Sequence, residues 1–252
     1  MSKVPVALQM YTLREETAKD FAGTLGKVAK IGYAGVEFAG FGGLNAKEVK
    51  TIIDDLGLRA AGAHVGIDAL ENNLSGAIDD MLTVGSKYIV CPYMPDDRRV
   101  DGDAWKRVAE ELNGIGETCA KHGLTLCYHN HSFEFEKFNG EYGLDILYGN
   151  SDPKYLQAEL DLYWVKRGGE SPVAYVEKYA NRLPLLHIKD MANDAEQSFA
   201  EFGNGILDWD AILPAAEKAG AQWYIVEQDV CKRPCLESVE ISFKNLQARG
   251  LA

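Results

Sequence analysis

Apolar and polar positions along this chain fall into a phrase that repeats. A stretch with apolar residues at helical spacing ends in glycine, and a β-branched or apolar run follows within a few residues. Such ends lie at Lys30-Ile31-Gly32, Asp55-Leu56-Gly57, Thr83-Val84-Gly85, Lys121-His122-Gly123 and Lys218-Ala219-Gly220. Glycine just past a helix terminus takes the left-handed conformation without steric cost, so each run that follows reads as a strand. Strands are predicted at 6–11, 35–38, 58–65, 88–93, 124–130, 155–162, 183–189 and 222–228. Between them Phe21, Leu25, Val28, Ala29 and Ile31 share a helix face. So do Val49, Ile52, Ile53 and Leu56, after the capping-box start Asn45…Glu48. Further helices are predicted at 70–84, 104–122, 172–181, 209–219 and 236–248, with a short one within 140–149.

Eight strand-then-helix units in 252 residues predict one α/β domain over 1–252, a (β/α)₈ TIM barrel. A doubly wound open sheet is the competing architecture. It would place a glycine-rich phosphate turn after the first strand, where this chain has Gln9-Met10-Tyr11-Thr12-Leu13-Arg14. The segment 194–205 reads as a long loop after the seventh strand.

Composition narrows the partners. Hydrophobic residues make up 46%, enough for a core, and the formal charge is −12. Nucleic acid and anionic membranes recruit clustered Lys and Arg, and only isolated basic pairs such as Arg98-Arg99 occur. The opening Met1-Ser2-Lys3-Val4-Pro5-Val6 has no apolar signal core, and no run reaches spanning length. The five cysteines are odd in number and several lie in apolar stretches. Reduced thiols in the cytosol are therefore expected, with no zinc or redox role for Cys231…Cys235. A homo-oligomer is left open.

TIM-barrel active sites lie at the C-terminal ends of the strands. Read that way, Gln9 and Tyr11, Glu37, His64, Cys91 and Tyr93, His129 and His131, Glu159 and Asp161, His187 and Lys189, and Glu227 and Asp229 close the eight strands in turn. Positions i and i+2 of a strand share a face, and ionisable groups are costly to bury unpaired. A lone strand-end histidine such as His64 is more often a hydrogen-bonding residue than a ligand, and Glu37 could pair with a basic neighbour. The set His129, Asp161, His187 and Glu227 is harder to explain as packing. It suits one divalent ion of the Mn²⁺, Co²⁺, Zn²⁺ or Fe²⁺ type better than an all-oxygen Mg²⁺ or Ca²⁺ site.

Ala7-Leu8-Gln9-Met10-Tyr11-Thr12-Leu13-Arg14, Gly35-Val36-Glu37, Leu186-His187-Ile188-Lys189-Asp190 and Val226-Glu227 resemble the first, second, seventh and eighth strands of the xylose isomerase-like TIM barrels. That sugar phosphate isomerase/epimerase group also includes inosose dehydratases, hydroxypyruvate isomerases and endonuclease IV. The resemblance implies one metal held by Glu, Asp, His and Glu from strands five to eight. Asp161, His187 and Glu227 match the last three. At the first, this chain has His129, with Glu134 the other candidate carboxylate, and Trp164 stands where the family often has His. The His-rich Tyr128-His129-Asn130-His131 is similar to the fifth strand of inosose dehydratases.

The resemblance implies a cytoplasmic sugar or keto-polyol isomerase or epimerase working through an enediolate, or a lyase on a keto-sugar or keto-inositol. Glu227 would be the base, His129 or His131 would act on the opposite face, and Lys189 and His64 would hold hydroxyls or the oxyanion. Tyr11, Trp164, Glu37 and Glu134 complete the expected substrate lining. A small-molecule carbohydrate is the implied partner. An endonuclease IV-like nuclease would need many more ligands and a basic face, and a non-catalytic sugar-binding barrel would need no metal set.

Overall fold

The computed structural model describes residues 3–252; Met1 and Ser2 of the opening segment lie outside them. Eight strands form a closed barrel: β1 (Val6–Gln9), β2 (Gly35–Phe38), β3 (Arg59–His64), β4 (Tyr88–Cys91), β5 (Thr125–His129), β6 (Leu156–Asp161), β7 (Leu185–His187) and β8 (Trp223–Val226). Each pairs in parallel with its sequence neighbours, and β8 closes on β1 with Val6 opposite Tyr224. This is the (β/α)₈ barrel expected from the repeating phrase. Its left-handed glycines close helices at Gly32, Gly85 and Gly220.

Two apolar layers result. Between strands and helices, Leu8, Val36, Leu126, Leu160 and Leu186 meet helix residues such as Leu25, Val49 and Leu112. Burying a side chain of this size contributes about 1.5–3 kcal/mol. Inside the barrel a smaller cluster of Ala7, Ala61, Val90, Cys127, Leu185, Trp223 and Ile225 fills the lower lumen. Two residues further along β1, β5, β7 and β8 the same face carries Gln9, His129, His187 and Glu227. The period of two therefore stacks a polar layer directly on an apolar floor.

The helices depart from expectation where local chemistry intervenes. The capping box at Asn45 and Glu48 forms as read. The helix expected over 70–84 is two, Ile67–Asn72 and Leu74–Val84, because Asn73 (φ −149°, ψ 48°) leaves helical geometry. The 194–205 loop is not structureless: Phe199–Ala200 pairs antiparallel with Asp190–Met191. Cys231 and Cys235 are joined in a disulfide, which corrects the expectation of five reduced thiols. Cys91, Cys119 and Cys127 are free and buried. Burial pushes the Cys91 thiol up to about 12, so it is an unreactive packing group. Among the described residues no helix is long and apolar enough to cross a membrane.

Asp190 does not pair with Lys189. Its buried carboxylate accepts from the N–H groups of Met191, Gly203, Gly205 and Leu207 and from Trp209 Nε1 at 2.7–3.2 Å. One side chain thus organises the whole loop after β7. Asp190→Ala leaves several buried donors unpaired, each worth about 1–3 kcal/mol. The expected loss of stability is at least roughly 3 kcal/mol, read from urea unfolding. A variant within about 0.5 kcal/mol of the wild type, the scatter of an ordinary surface change, would show that the loop does not depend on Asp190.

Candidate metal centre and active site

The strand ends expected to converge do so. His129, Asp161, His187 and Glu227 each offer one donor atom, all within 4.8 Å of one another and all buried. β6 and β7 place Asp161 directly opposite His187, and β5 and β6 place His129 opposite Glu159. His187 Nδ1 lies 3.0 Å from Glu227 Oε2 and 3.9 Å from Asp161 Oδ2, and His129 Nε2 lies 3.8 Å from the same Asp161 oxygen.

Asp161 divides its two oxygens. Oδ1 caps the helix Leu162–Arg167 by accepting from the N–H groups of Tyr163 and Trp164. Oδ2 is buried without a hydrogen-bond partner. The Lys189 ammonium is 2.8 Å from it, in a geometry too bent for a hydrogen bond. Asn130 holds the Asp161 backbone from both sides, accepting from its N–H at 3.0 Å and donating to its C=O at 3.3 Å. A buried carboxylate oxygen whose one close charged neighbour is the Lys189 ammonium, beside two imidazoles and a second carboxylate, fits a divalent ion of the zinc or manganese type.

The imidazoles are fixed from behind. His129 Nδ1 sits 3.1 Å from Glu159 Oε2, and His187 Nε2 sits 2.8 Å from Glu37 Oε2. Gln9 Nε2 donates to that same Glu37 oxygen at 2.8 Å. Gly62 leaves room for it, since a Cβ there would lie 2.8 Å from Glu37 Oε1. Carboxylates behind ligand imidazoles set tautomer and ring orientation. Glu37 therefore lies inside the barrel, engaged with His187. Glu159 has partners too: His64 Nε2 is 2.9 Å from its Oε2.

Lys189 is the group whose importance exceeds expectation. Fully buried, its Nζ lies 2.8 Å from Asp161 Oδ2, 2.9 Å from Glu227 Oε2 and 2.7 Å from Asp229 Oδ2. Burial would favour its neutral form, but these three carboxylates hold its pKa well above the usual value. Burial would likewise raise Glu227, yet Lys189 and His187 hold its carboxyl below the ordinary range. At Asp161 burial prevails, raising it to about 6. Burial, with the cationic neighbours, pushes His129 well below its usual value, so it is neutral. The carboxylates around His187 outweigh burial and raise it.

The remaining expected residues lie at different depths. His131 packs between Phe133 and Trp164, and burial lowers it to about 3. Trp164 is half-buried, with Lys189 Nζ 5.5 Å from its ring centroid. Tyr11 is 42% exposed on the short helix Met10–Leu13, with the Arg14 guanidinium over its ring. Glu134 turns away: its oxygens accept from the Tyr128 hydroxyl at 2.9 Å and the His131 N–H at 2.8 Å. It belongs to neither group of potential ligands, whereas His129 belongs to both.

Burial raises Glu134 from 4.5 to about 8, outweighing the hydrogen bonds and Arg99, which act to lower it. A folded-state pKa above the unfolded one gives stability that is complete below the unfolded pKa and lost as pH rises through the folded one. Relative to Glu134→Gln, the wild type should lose up to about 1.4 kcal/mol per pH unit between pH 5 and 8. Urea midpoints at four pH values measure this, and parallel curves for the two proteins would refute it.

A closed barrel whose mouth carries buried imidazoles, carboxylates and one ammonium over an apolar floor defines a TIM barrel with a metal-type site. The chain belongs to the xylose isomerase-like TIM barrels, whose family model matches residues 25–240. A solved sugar phosphate isomerase/epimerase from Parabacteroides distasonis is 29% identical and superposes with a TM-score of 0.85, covering 100% of this chain and 96% of its own. An inosose dehydratase of Clostridium beijerinckii is 26% identical over 175 residues, 63% of this chain and 54% of that protein. One from Lacticaseibacillus casei is 24% identical, over 68% of this chain and 59% of its own length. The chain thus spans little more than half of these curated relatives.

Proposed function

We propose that the protein is an isomerase or epimerase acting on a keto sugar or keto polyol, and that it removes the proton on carbon next to the carbonyl. The observation that carries this reading is the convergence of Glu227, His129, Asp161, His187 and Lys189 at one end of the barrel. The fit of the donor set supports His129, Asp161, His187 and Glu227 as the residues that would hold a divalent ion. Such an ion would supply Lewis acidity toward a carbonyl and its neighbouring hydroxyl.

Glu227 takes the proton from carbon, and the electron pair of the C–H bond moves onto the carbonyl oxygen. Lys189 supplies positive charge against that developing oxyanion, inside a site where burial keeps water from screening it. His129 would have Nε2 on the ion and Nδ1 on Glu159, so His131, whose Nδ1 has no hydrogen-bond partner, is the imidazole left to move the second proton. Return of the proton to carbon completes an isomerisation or epimerisation. His131 and His64 offer hydroxyl contacts, and Tyr11 and Trp164 bound the sugar with apolar faces.

Elimination is the second reading, favoured by one feature. Opposite Glu227 stands an imidazole rather than a matching carboxylate, so the two flanks are chemically unequal. An unequal pair suits removing a proton on one side and protonating a departing β-oxygen on the other. The inosose dehydratases among the relatives are consistent with this outcome. Incubating metal-loaded protein with a panel of keto sugars and inososes in D₂O, followed by NMR, separates the two. Deuterium at the carbon next to the carbonyl with the oxygens retained indicates isomerisation. Deuterium accompanied by an unsaturated product indicates elimination. No exchange with any of them would overturn the proposal.

A further inference from the structure

Below the mouth lies a second set of donors that shares only His187 with the proposed ligands of the mouth. His64 Nε2 is 2.9 Å from Glu159 Oε2 and 3.3 Å from Glu37 Oε2. His187 Nε2 is 2.8 Å from Glu37 Oε2 and 3.4 Å from Glu159 Oε2. Two imidazole nitrogens thus alternate with two carboxylate oxygens around a common centre. A tetrahedral ion with bonds of about 2.0–2.1 Å holds its donors roughly 3.3 Å apart, and the four measured separations bracket that value. His64, His129, Glu159 and His187 also offer donor atoms within 4.8 Å of one another.

We propose that His64, Glu37, Glu159 and His187 form a divalent-metal site of the zinc type, separate from the set that includes Asp161 and Glu227. Glu37 and Glu159 are fully buried, and while Oε2 of each faces the two imidazoles, Oε1 of each has no hydrogen-bond partner, so neither carboxylate is saturated by the protein. Two buried carboxylates carry a charge that one dication balances while both imidazoles stay neutral ligands. Without the ion the same balance needs two buried imidazolium groups, a costly arrangement. The site is also backed: Gln9 Nε2 donates to Glu37 Oε2, and His129 Nδ1 sits on Glu159 Oε2, the outer support that metal ligands use. The His64 side chain is 12% exposed, so it gives the ion a way in from the mouth. His187 presents Nε2 to this site and Nδ1 to the mouth, so with both sites filled it would bridge the two ions as an imidazolate, and with the inner site alone it is a neutral ligand whose Nδ1–H faces Glu227.

The site stands independently of the reaction proposed above, and its test needs no substrate. Asp161→Ala removes a mouth ligand and leaves all four inner donors in place. After stripping with chelator and incubation with zinc chloride alone, Asp161→Ala should retain one equivalent of zinc by elemental analysis. Asp161→Ala/His64→Ala and Asp161→Ala/Glu37→Gln should each bind at least 10-fold more weakly. Zinc should raise the melting temperature of the single variant and not of the double variants. Circular dichroism verifies folding first, and Glu227→Gln provides a second background if Asp161→Ala folds poorly. A background variant that folds and binds no zinc, or a residual equivalent that survives both second substitutions, overturns the inner site. Neither result touches the deuterium-exchange experiment, so the two readings fail separately.

Discussion

Asp161→Ala is expected to lose turnover and the mouth metal together. Its side chain serves two masters: Oδ1 caps the helix Leu162–Arg167 and Oδ2 faces the donor set with no hydrogen bond of its own. Alanine removes both. Loss of the cap costs about 1 kcal/mol, a stability effect that leaves the fold intact. Loss of Oδ2 removes the one carboxylate oxygen that lies within 4 Å of both His129 Nε2 and His187 Nδ1. Turnover should fall by more than the roughly 10–100-fold typical of an outer partner of a metal site. Asp161→Asn separates the roles, because its amide oxygen can keep the cap while offering a weaker, uncharged donor. The comparison is zinc or manganese content against wild type, together with initial rates. If Asp161→Ala keeps every equivalent of metal that the wild type binds, Asp161 is not a ligand.

Much of this was legible beforehand because a strand alternates faces with a period of two. Cys127 on the floor fixes His129 above it, Leu185 fixes His187, and Ile225 fixes Glu227. The glycine-terminated phrases marked five helix ends, and the apolar strand-like runs supplied the count of eight. Depth was not legible. Glu37 and Glu159 lie on the same inward face as the candidate ligands, and a periodic pattern does not distinguish a residue at the mouth from one a layer below. Their partners come from distant strands, with Glu37 meeting His187 across 150 residues of sequence. The orientation of Glu134 was not legible for a different reason. It follows β5 closely, but the short helix Phe133–Phe135 turns its carboxylate back onto Tyr128 and His131. The split at Asn73 and the pairing of Cys231 with Cys235 depend on local backbone conformation, which spacing does not encode.

Glu227→Gln is expected to keep the fold and lower turnover by at least roughly 10²-fold, the low end for loss of a general base. The amide is nearly isosteric and sits where His187 Nδ1 and Lys189 Nζ approach at 3.0 and 2.9 Å. Those same neighbours qualify the role of Glu227. Burial alone would make it a stronger base, but Lys189 and His187 outweigh burial and hold it anionic below the ordinary carboxylate range. While Lys189 is paired with it, Glu227 is a weak base. Asp229, whose side chain is 25% exposed, offers Lys189 a third carboxylate at 2.7 Å. In the proposed reaction, a shift of the ammonium toward Asp229 and the substrate oxygen would free Glu227 as negative charge develops on that oxygen. Lys189→Met should therefore move the acid limb of the kcat/KM profile to higher pH, because the Glu227 pKa rises when the ammonium goes. It should also lower kcat through loss of oxyanion stabilisation. In Glu227→Gln, deuterium exchange at the substrate carbon should fall in parallel with turnover, whether the product is isomerised or unsaturated. A Glu227→Gln protein that retains the mouth metal and exchanges at the wild-type rate would exclude Glu227 as the base and move the role to His129, His131 or Glu159, of which His131 has a ring nitrogen without a hydrogen-bond partner.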